Sequence, residues 1–182
     1  MAARFHPQKD HHNFIKAAGV VLAARPDTHF LLFGSGVTRD NAVLAAWVEQ
    51  AGLGGQIHLL GPREDATRLF AALDVSILSS ASGEAHPNVV VESMSCEVPV
   101  ISTDVGDAAY IIGDTGRVVP PQDPRALAGA VLELLGLPQG ERQALGAAAR
   151  RRVEENFSLD RMAAAYARLY QDSTDRSTKG EE

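Results

Sequence analysis

Short apolar runs alternate with amphipathic segments along the first two thirds of the chain. Five such runs are present, at residues 30–33, 57–60, 75–78, 98–101 and 117–119. They are rich in Val, Ile and Leu and are flanked by Gly, Pro or Asp, which is typical of buried parallel strands. Between them, apolar residues such as Phe14, Ala17 and Val21 recur at helical spacing. The alternation predicts an α/β fold with a parallel sheet and right-handed crossovers.

The C-terminal third has a different pattern, with helical periods and no strand-like run. Asp123 is predicted to cap a helix that has Pro124 at its first position, and Ser158 to cap the last helix. The polar residues 173–182 are expected to form a disordered tail. We therefore predict a single domain over residues 1–172 with a helical C-terminal segment.

The start of the chain is unusual for this fold. The first helix is predicted to begin near Asp10, and a sheet of this kind normally opens with a full strand that lies in its middle. Only residues 1–3 are available for that strand before the loop that starts at Arg4. We expect a truncated central strand, with marginal stability or pairing to another chain as its consequence.

Composition narrows the class of protein. The chain has 182 residues and a formal net charge of −6, which disfavours a general nucleic-acid or anionic-membrane surface. Cys96 is the only cysteine, which excludes a multi-cysteine metal site, and the six histidines show no ligand spacing. No apolar run reaches the ~20 residues of a membrane span. We predict a cytoplasmic protein without a metal, a cofactor or a nucleic-acid partner.

Two loops at predicted strand ends carry candidate binding residues. Arg4 and Lys9 lie between the first strand and the first helix, where cations and helix amides suit a phosphate. From these residues alone, two solvated surface cations are the better interpretation. Gly34 and Gly36 begin a dinucleotide-like turn, but Arg39 stands where its third glycine belongs, so we rank a nicotinamide-dependent dehydrogenase low.

The segment after the third predicted strand is the most informative. Glu84 lies in the loop before a helix predicted to start about Pro87, whose free amides near Asn88, Val89 and Val90 can bind an anion. Glu92 lies more than one turn inside that helix and is expected to be buried. A buried carboxylate needs hydrogen-bond donors, and sugar hydroxyls are suitable ones. A charge favoured by the helix dipole, together with a structural salt bridge, is the open alternative.

These residues also form a recognisable signature. Glu84 and Glu92 are a Glu-x7-Glu pair, and further matching residues are Pro87–Asn88, Met94, Cys96, Pro99–Val100 and Thr103–Gly106. Their order and spacing resemble the retaining glycosyltransferases of family four. That family has the GT-B fold of two Rossmann-like domains, and the resemblance, from Arg4 to about Leu135, is to the C-terminal, donor-binding domain. It implies a Rossmann-like parallel sheet with flanking helices, one half of a GT-B fold.

The resemblance implies how the phosphates of a nucleotide-diphosphate sugar are held. Arg4 and Lys9 match the cationic pair that contacts the diphosphate. The start of the helix, at Pro87, Asn88 and Val89, helps to neutralise the negative charge of the leaving group, and no metal is implied.

It also implies contacts to the rest of the donor. Glu84 faces the reacting centre and contacts sugar hydroxyls, as an orienting and electrostatic residue and not as a nucleophile. Glu92 accepts hydrogen bonds from the ribose, and Gly34 and Gly36 let the backbone approach the donor. His86 stands where the family usually has Phe. It either adds a hydrogen-bond donor near the phosphate or is a tolerated aromatic exchange, and it leaves the donor sugar undetermined.

Two functions follow from these implications. The first is the donor-binding domain of a retaining glycosyltransferase that uses a UDP- or GDP-linked sugar, with its N-terminal acceptor domain missing from this chain. The second is a non-catalytic nucleotide-sugar binding module completed by a partner chain. Membrane association is expected only through the missing half.

Glu97 also departs from the family, because Gly usually ends the helix there. A non-glycine residue in a left-handed conformation at this position costs about 1 kcal/mol or more.

Overall fold

The protein is described here from a computed structural model, which gives the backbone of residues 1–179 and the side chains of residues 1–171. The strands are β1 (Phe30–Leu32), β2 (Ile57–Leu59), β3 (Ser76–Leu78), β4 (Val100–Thr103) and β5 (Arg117–Val119). The helices are α1 (His11–Ala24), α2 (Ala42–Gln50), α3 (Ala66–Ala71), α4 (Asn88–Ser95), α5 (Ala108–Ile112), α6 (Pro124–Gly136), α7 (Gln139–Asn156) and α8 (Leu159–Lys179). A short 3-10 turn, Pro7–Lys9, precedes α1.

All strand pairs are parallel, which confirms the predicted α/β class. β1 pairs with β2, and β3, β4 and β5 form a three-stranded sheet with β4 in the middle. Four of the five predicted apolar runs contain a strand, and the run at 98–101 overlaps β4, which begins at Val100 and extends two residues further, to Thr103. The intervening helices follow from the same crossover geometry, because a parallel neighbour requires the chain to return across the sheet.

The first three residues extend alongside β1. Ala2 forms a parallel bridge with Phe33, and the Ala3 amide donates to the Phe33 carbonyl at 2.9 Å. The Phe33 amide in turn donates to the Met1 carbonyl at 3.1 Å, and Met1 is buried. Residues 1–3 therefore occupy the place that the sequence assigned to the first strand.

Two helices cover one face of the core. α1 packs against α6 through buried side chains that include Phe14, Val21, Leu127 and Leu134. The aspartates at their starts fix where they begin: the side chain of Asp10 accepts from the amide of Asn13, and that of Asp123 accepts from two amides of α6. The predicted cap at Asp123 is confirmed, and each such cap stabilises its helix by about 1 kcal/mol.

The C-terminal segment is helical, as predicted. α7 packs against α4, with Ala149 and Val153 in the same apolar cluster as Leu78 and Met94. α8 follows, and its side chains from residue 161 to 171 are exposed. The backbone of residues 173–179, expected to be disordered, belongs to α8, and residues 180–182 lie outside the described part. No helix in the described range is long and apolar enough to cross a membrane.

Candidate functional site

The candidate site lies at the carboxyl ends of the strands. In an open α/β sheet this edge carries the loops, and ligands bind in the crevice between them. Three loops meet here: residues 4–10 before α1, residues 79–87 between β3 and α4, and residues 104–107 after β4. The sequence analysis placed its candidate residues in these loops and in the turn after β1.

The turn after β1 packs directly against the first loop. The Phe5 amide donates to the Ser35 carbonyl at 2.7 Å. Gly34 has a φ of 141°, and a Cβ there would overlap the Ala3 carbonyl oxygen. Gly36 has a φ of 75° and its Cβ would lie 3.1 Å from that of Phe5. The two glycines are thus explained by the packing of two loops, and their contact with a donor stays a prediction.

The first loop is also fastened to the loop after β3. The Gln8 side-chain amide donates to the Gly83 carbonyl at 2.6 Å, and the Ala81 amide donates to the Gln8 carbonyl at 2.8 Å. The buried Ser79 hydroxyl donates to the Lys9 carbonyl at 2.9 Å. These contacts hold two segments that are about 70 residues apart in sequence in one fixed arrangement.

This arrangement brings two predicted site residues into contact. Lys9 Nζ forms an ion pair with Glu84 Oε1, and the Ser80 hydroxyl donates to the same oxygen at 2.5 Å. The Lys9 and Glu84 side chains are only 17% and 9% exposed. Ser80 is itself held by Thr103, whose hydroxyl donates to the Ser80 carbonyl at 2.6 Å. Sequence reasoning assigned Lys9 and Glu84 to different parts of a ligand and missed Ser80.

Arg4 differs from Lys9 in its surroundings. It is exposed, and among the residues with described side chains it has no hydrogen-bond or ion-pair partner. The predicted pair of cations therefore contains one free charge, on Arg4, and one charge that Glu84 neutralises.

The start of α4 is open toward the same crevice. The helix begins at Asn88, one residue later than predicted, with buried Pro87 as its N-cap and no side-chain cap. The first amides of a helix have no partner within it, so those of Asn88 and Val89 are available to an anion. The expectation of a free amide at Val90 is wrong, because that amide donates to the Pro87 carbonyl at 3.0 Å. The eight-residue helix α4 thus presents the amide-lined end that the sequence predicted.

The expected burial of Glu92 is wrong. α4 turns Val90, Ser93 and Met94 toward the core, and Glu92 lies on the opposite, exposed face. The cause is helical phase, because residues 90, 93 and 94 define one face of this helix and residue 92 lies outside it. Within the described range Glu92 makes no ion pair, so the structural salt bridge weighed as its alternative is also absent.

The loop after β4 supports the backbone of the Glu84 loop. Gly106 has a φ of 60°, and a Cβ there would overlap the Glu84 carbonyl oxygen. The Asp107 amide donates to the Ala85 carbonyl at 2.9 Å. The sequence showed Gly106 as part of the signature, and the structure gives the physical reason for a glycine.

His86 lies next to aromatic residues, and a hydrogen bond from its ring to the phosphate stays a prediction. It is exposed, and its ring lies 6.0 Å from that of Phe157, the residue that follows α7. The Tyr110 ring lies 5.7 Å from the same Phe157 ring in an edge-to-face contact. His86 is therefore beside the crevice, next to an aromatic cluster.

The predicted site residues do not extend to the other cavity found in the described part of the chain. A cavity of about 680 Å³ lies at the opposite edge of the sheet, near the starts of β1 and β3, and contains none of the predicted site residues. Partial burial raises the pKa of Cys96, which argues against a reactive thiolate. No group of three or more His, Cys, Asp or Glu side chains in residues 1–171 is arranged to hold a metal ion.

Comparison with known proteins agrees with this geometry. Residues 1–136 match the family described as glycosyl transferases group 1. The chain is 33% identical to an exopolysaccharide phosphotransferase of Streptomyces coelicolor over 75% of its length, covering 14% of that protein. It is 34% identical to a GDP-mannose-dependent monoacylated alpha-(1-6)-phosphatidylinositol monomannoside mannosyltransferase of Corynebacterium glutamicum over 88% of its length, covering 43% of that protein.

Solved structures show the same fold. A glycosyltransferase of Rickettsia africae superposes with a TM-score of 0.86 at 24% identity, over 94% of this chain and 46% of that one. The Anabaena protein HepE, crystallised with UDP and glucose, superposes with a TM-score of 0.83 at 23% identity, over 93% of this chain and 47% of that one. The chain therefore spans less than half the length of these relatives and structural neighbours.

Proposed function

Because the chain belongs to the glycosyl transferases group 1 family, we propose that it is the donor-binding half of a retaining glycosyltransferase. Its donor is a nucleotide-diphosphate sugar, UDP- or GDP-linked, and the acceptor is held by a further domain or a partner chain. The GDP-mannose-dependent relative and the UDP-bound structural neighbour support a nucleoside-diphosphate donor without selecting the base.

The convergence of complementary groups on one edge of the sheet carries this proposal. Arg4 lies in the loop that also carries Lys9, and this loop is hydrogen-bonded to the loop that carries Glu84 and leads into the uncapped start of α4. Two cations and a helix N-terminus suit a diphosphate, whose charge they disperse without a metal. A carboxylate next to them suits sugar hydroxyls, which are hydrogen-bond donors.

The proposed chemistry is transfer at the anomeric carbon with retained configuration. The bond from that carbon to the diphosphate oxygen breaks as the bond to the acceptor oxygen forms on the same face. The acceptor proton passes to the departing phosphate. Arg4, Lys9 and the α4 amides stabilise the charge that develops on the leaving group, and Glu84 orients the sugar and stabilises the electron-poor anomeric centre.

The remaining contacts are assigned by position. Glu92, which is exposed on α4, accepts hydrogen bonds from the ribose. Gly34 and Gly36 let the backbone approach the donor, and His86 borders the sugar. The protein acts in the cytoplasm, without a nucleic-acid partner, and meets a membrane only through the half that completes it.

Isothermal titration calorimetry with UDP, GDP, UDP-glucose and GDP-mannose tests the proposal. We expect one base to bind, with Arg4→Ala weakening the affinity by about tenfold or more, since a charge-assisted hydrogen bond contributes about 1.5–3 kcal/mol. Arg151→Ala, an exposed arginine on α7, is the matched control and should bind as the wild type does. No binding of any of the four ligands at millimolar concentration would refute the proposal.

A further inference from the structure

We propose that Lys9 exchanges partners during donor binding, and that this exchange makes the site discriminate a sugar donor from the free nucleoside diphosphate. Lys9 is paired with Glu84 in the empty site and with the diphosphate in the loaded one. The inference rests on the proposed function and adds a specificity-determining role for Glu84 and a positioning role for Ser80.

The hydrogen bonds of Glu84 are distributed unevenly between its two oxygens. Both Lys9 and Ser80 contact Oε1, whereas Oε2 has no hydrogen-bond partner among residues 1–171. Since the side chain is only 9% exposed, solvent has limited access to this carboxylate. Oε2 is therefore the oxygen that remains available to a ligand in the crevice.

A diphosphate draws Lys9 away from Glu84, because it carries more negative charge than a carboxylate and its oxygens can accept from all three N–H donors of the ammonium group. Withdrawing Lys9 leaves a largely buried carboxylate with a single donor, Ser80, which is unfavourable. When a nucleoside diphosphate binds without a sugar, this unfavourable free energy lowers its affinity.

A sugar on the diphosphate offsets the unfavourable free energy of separating Lys9 from Glu84. Its hydroxyls donate to Oε2 when Lys9 leaves, so the carboxylate keeps hydrogen-bond donors in the loaded site. Glu84 therefore opposes binding of the diphosphate alone and favours the intact donor. The spent nucleotide, which lacks the sugar, is released more readily as a result.

Ser80 keeps the carboxylate in position during the exchange. Its hydroxyl contact to Oε1 does not involve Lys9, and its own backbone is held by Thr103 at the end of β4. Ser80 is fully buried, so a ligand does not displace it from Glu84. Ser80 is thus a positioning residue for Glu84 and does not touch the donor.

The decisive variant is Glu84→Gln, studied by calorimetry with the free nucleoside diphosphate and the matching sugar nucleotide. We expect the affinity for UDP or GDP to rise about fivefold and the preference for the sugar nucleotide to fall about tenfold or more. The matched control is Glu155→Gln, an exposed carboxylate on α7, which should change neither value. Reduced or unchanged affinity for the diphosphate in Glu84→Gln would overturn the inference.

A double-mutant cycle separates the exchange from a general charge effect. Lys9→Met should weaken diphosphate binding, and Glu84→Gln added to it should give no further gain, because the exchange needs both partners. An equal gain in the presence and absence of Lys9 would overturn the inference.

Ser80→Ala provides an independent check. It should leave diphosphate affinity within twofold and lower the preference for the sugar nucleotide, whereas loss of both affinities together would indicate only a structural role. Absence of nucleotide binding in the wild type would instead refute the proposed function itself.

Discussion

Glu97 illustrates how a single residue departs from what its position favours. It follows α4 with a φ of 60°, the left-handed conformation in which helices commonly end on glycine. Its carbonyl oxygen packs so closely on α7 that Gly146 has no room for a side chain. Within residues 1–171 its carboxylate forms one ion pair, to Arg150 at 3.6 Å, which joins two half-exposed side chains and contributes little. The expectation of backbone strain at Glu97 agrees with this geometry.

Glu97→Gly should therefore stabilise the protein. Relief of the left-handed strain outweighs the extra entropy of glycine in the unfolded chain, and we expect a gain of about 0.5–1 kcal/mol in the free energy of unfolding. Urea denaturation followed by circular dichroism measures it. Glu97→Ala is the control, because alanine removes the carboxylate but keeps the strain. Equal stabilities of the two variants would contradict the explanation.

At the scale of elements, the site depends on three loops that hold one another. Gln8 fastens the first loop to Gly83, Ser79 fastens the second loop to the first, and Gly106 lets the third loop touch the Glu84 backbone. The short strands and helices place the loops, and these hydrogen bonds and close approaches then set the position of Glu84. A change in the loop of residues 104–107 is therefore expected to shift the loop of residues 79–87.

Gly106→Ala tests this dependence. The added Cβ would overlap the Glu84 carbonyl oxygen, so we expect the loop to shift, stability to fall by about 1–3 kcal/mol and sugar-nucleotide affinity to fall with it. Gly52→Ala is a matched control, because Gly52 also has a positive φ, 69°, but nothing lies within 4 Å of its Cβ position. If Gly106→Ala behaves like Gly52→Ala in both measurements, the close approach has no role.

At the scale of the whole molecule, the chain spans less than half the length of the proteins that it matches. It spans 43% of the mannosyltransferase relative and 46% of the Rickettsia structure, while each match covers most of this chain. Transfer requires donor and acceptor to be held together, and this positioning supplies a large part of the rate. In the proposed function this chain holds only the donor, so it lacks that contribution.

We accordingly expect this polypeptide alone to bind nucleotide weakly and to catalyse negligible sugar transfer. The measurement is release of UDP or GDP from the sugar nucleotide that calorimetry identifies, with and without a range of acceptor alcohols. A two-domain glycosyltransferase of the same family, assayed in parallel with its own substrates, serves as the positive control. Rapid transfer by the isolated chain would show that the domain needs no second half.

Sequence reasoning succeeded where local pattern determines structure and failed where contacts are distant. The five strands followed from their apolar runs, and the cap at Asp123 followed from its residue type. The Lys9–Glu84 ion pair joins residues 75 positions apart, so no local pattern reveals it. The position of Ser80, a polar residue close behind a buried strand, is visible in the sequence. Its contact with Glu84 is not, because that contact depends on the path of the loop between them. Glu92 was predicted to be buried because three valines precede it in the sequence. The helix buries only Val90 of these three, and Glu92 is exposed.

The sequence by itself determined the α/β class, the order of its elements and the residues of the Glu-x7-Glu signature, because periodicity and residue type are local properties. The tertiary structure decided which charges remain free. It neutralises Lys9 with Glu84, leaves Arg4 without a partner in the described range and exposes Glu92. Such outcomes depend on the relative placement of loops and on helical phase, which are set only when the sheet and its helices pack together.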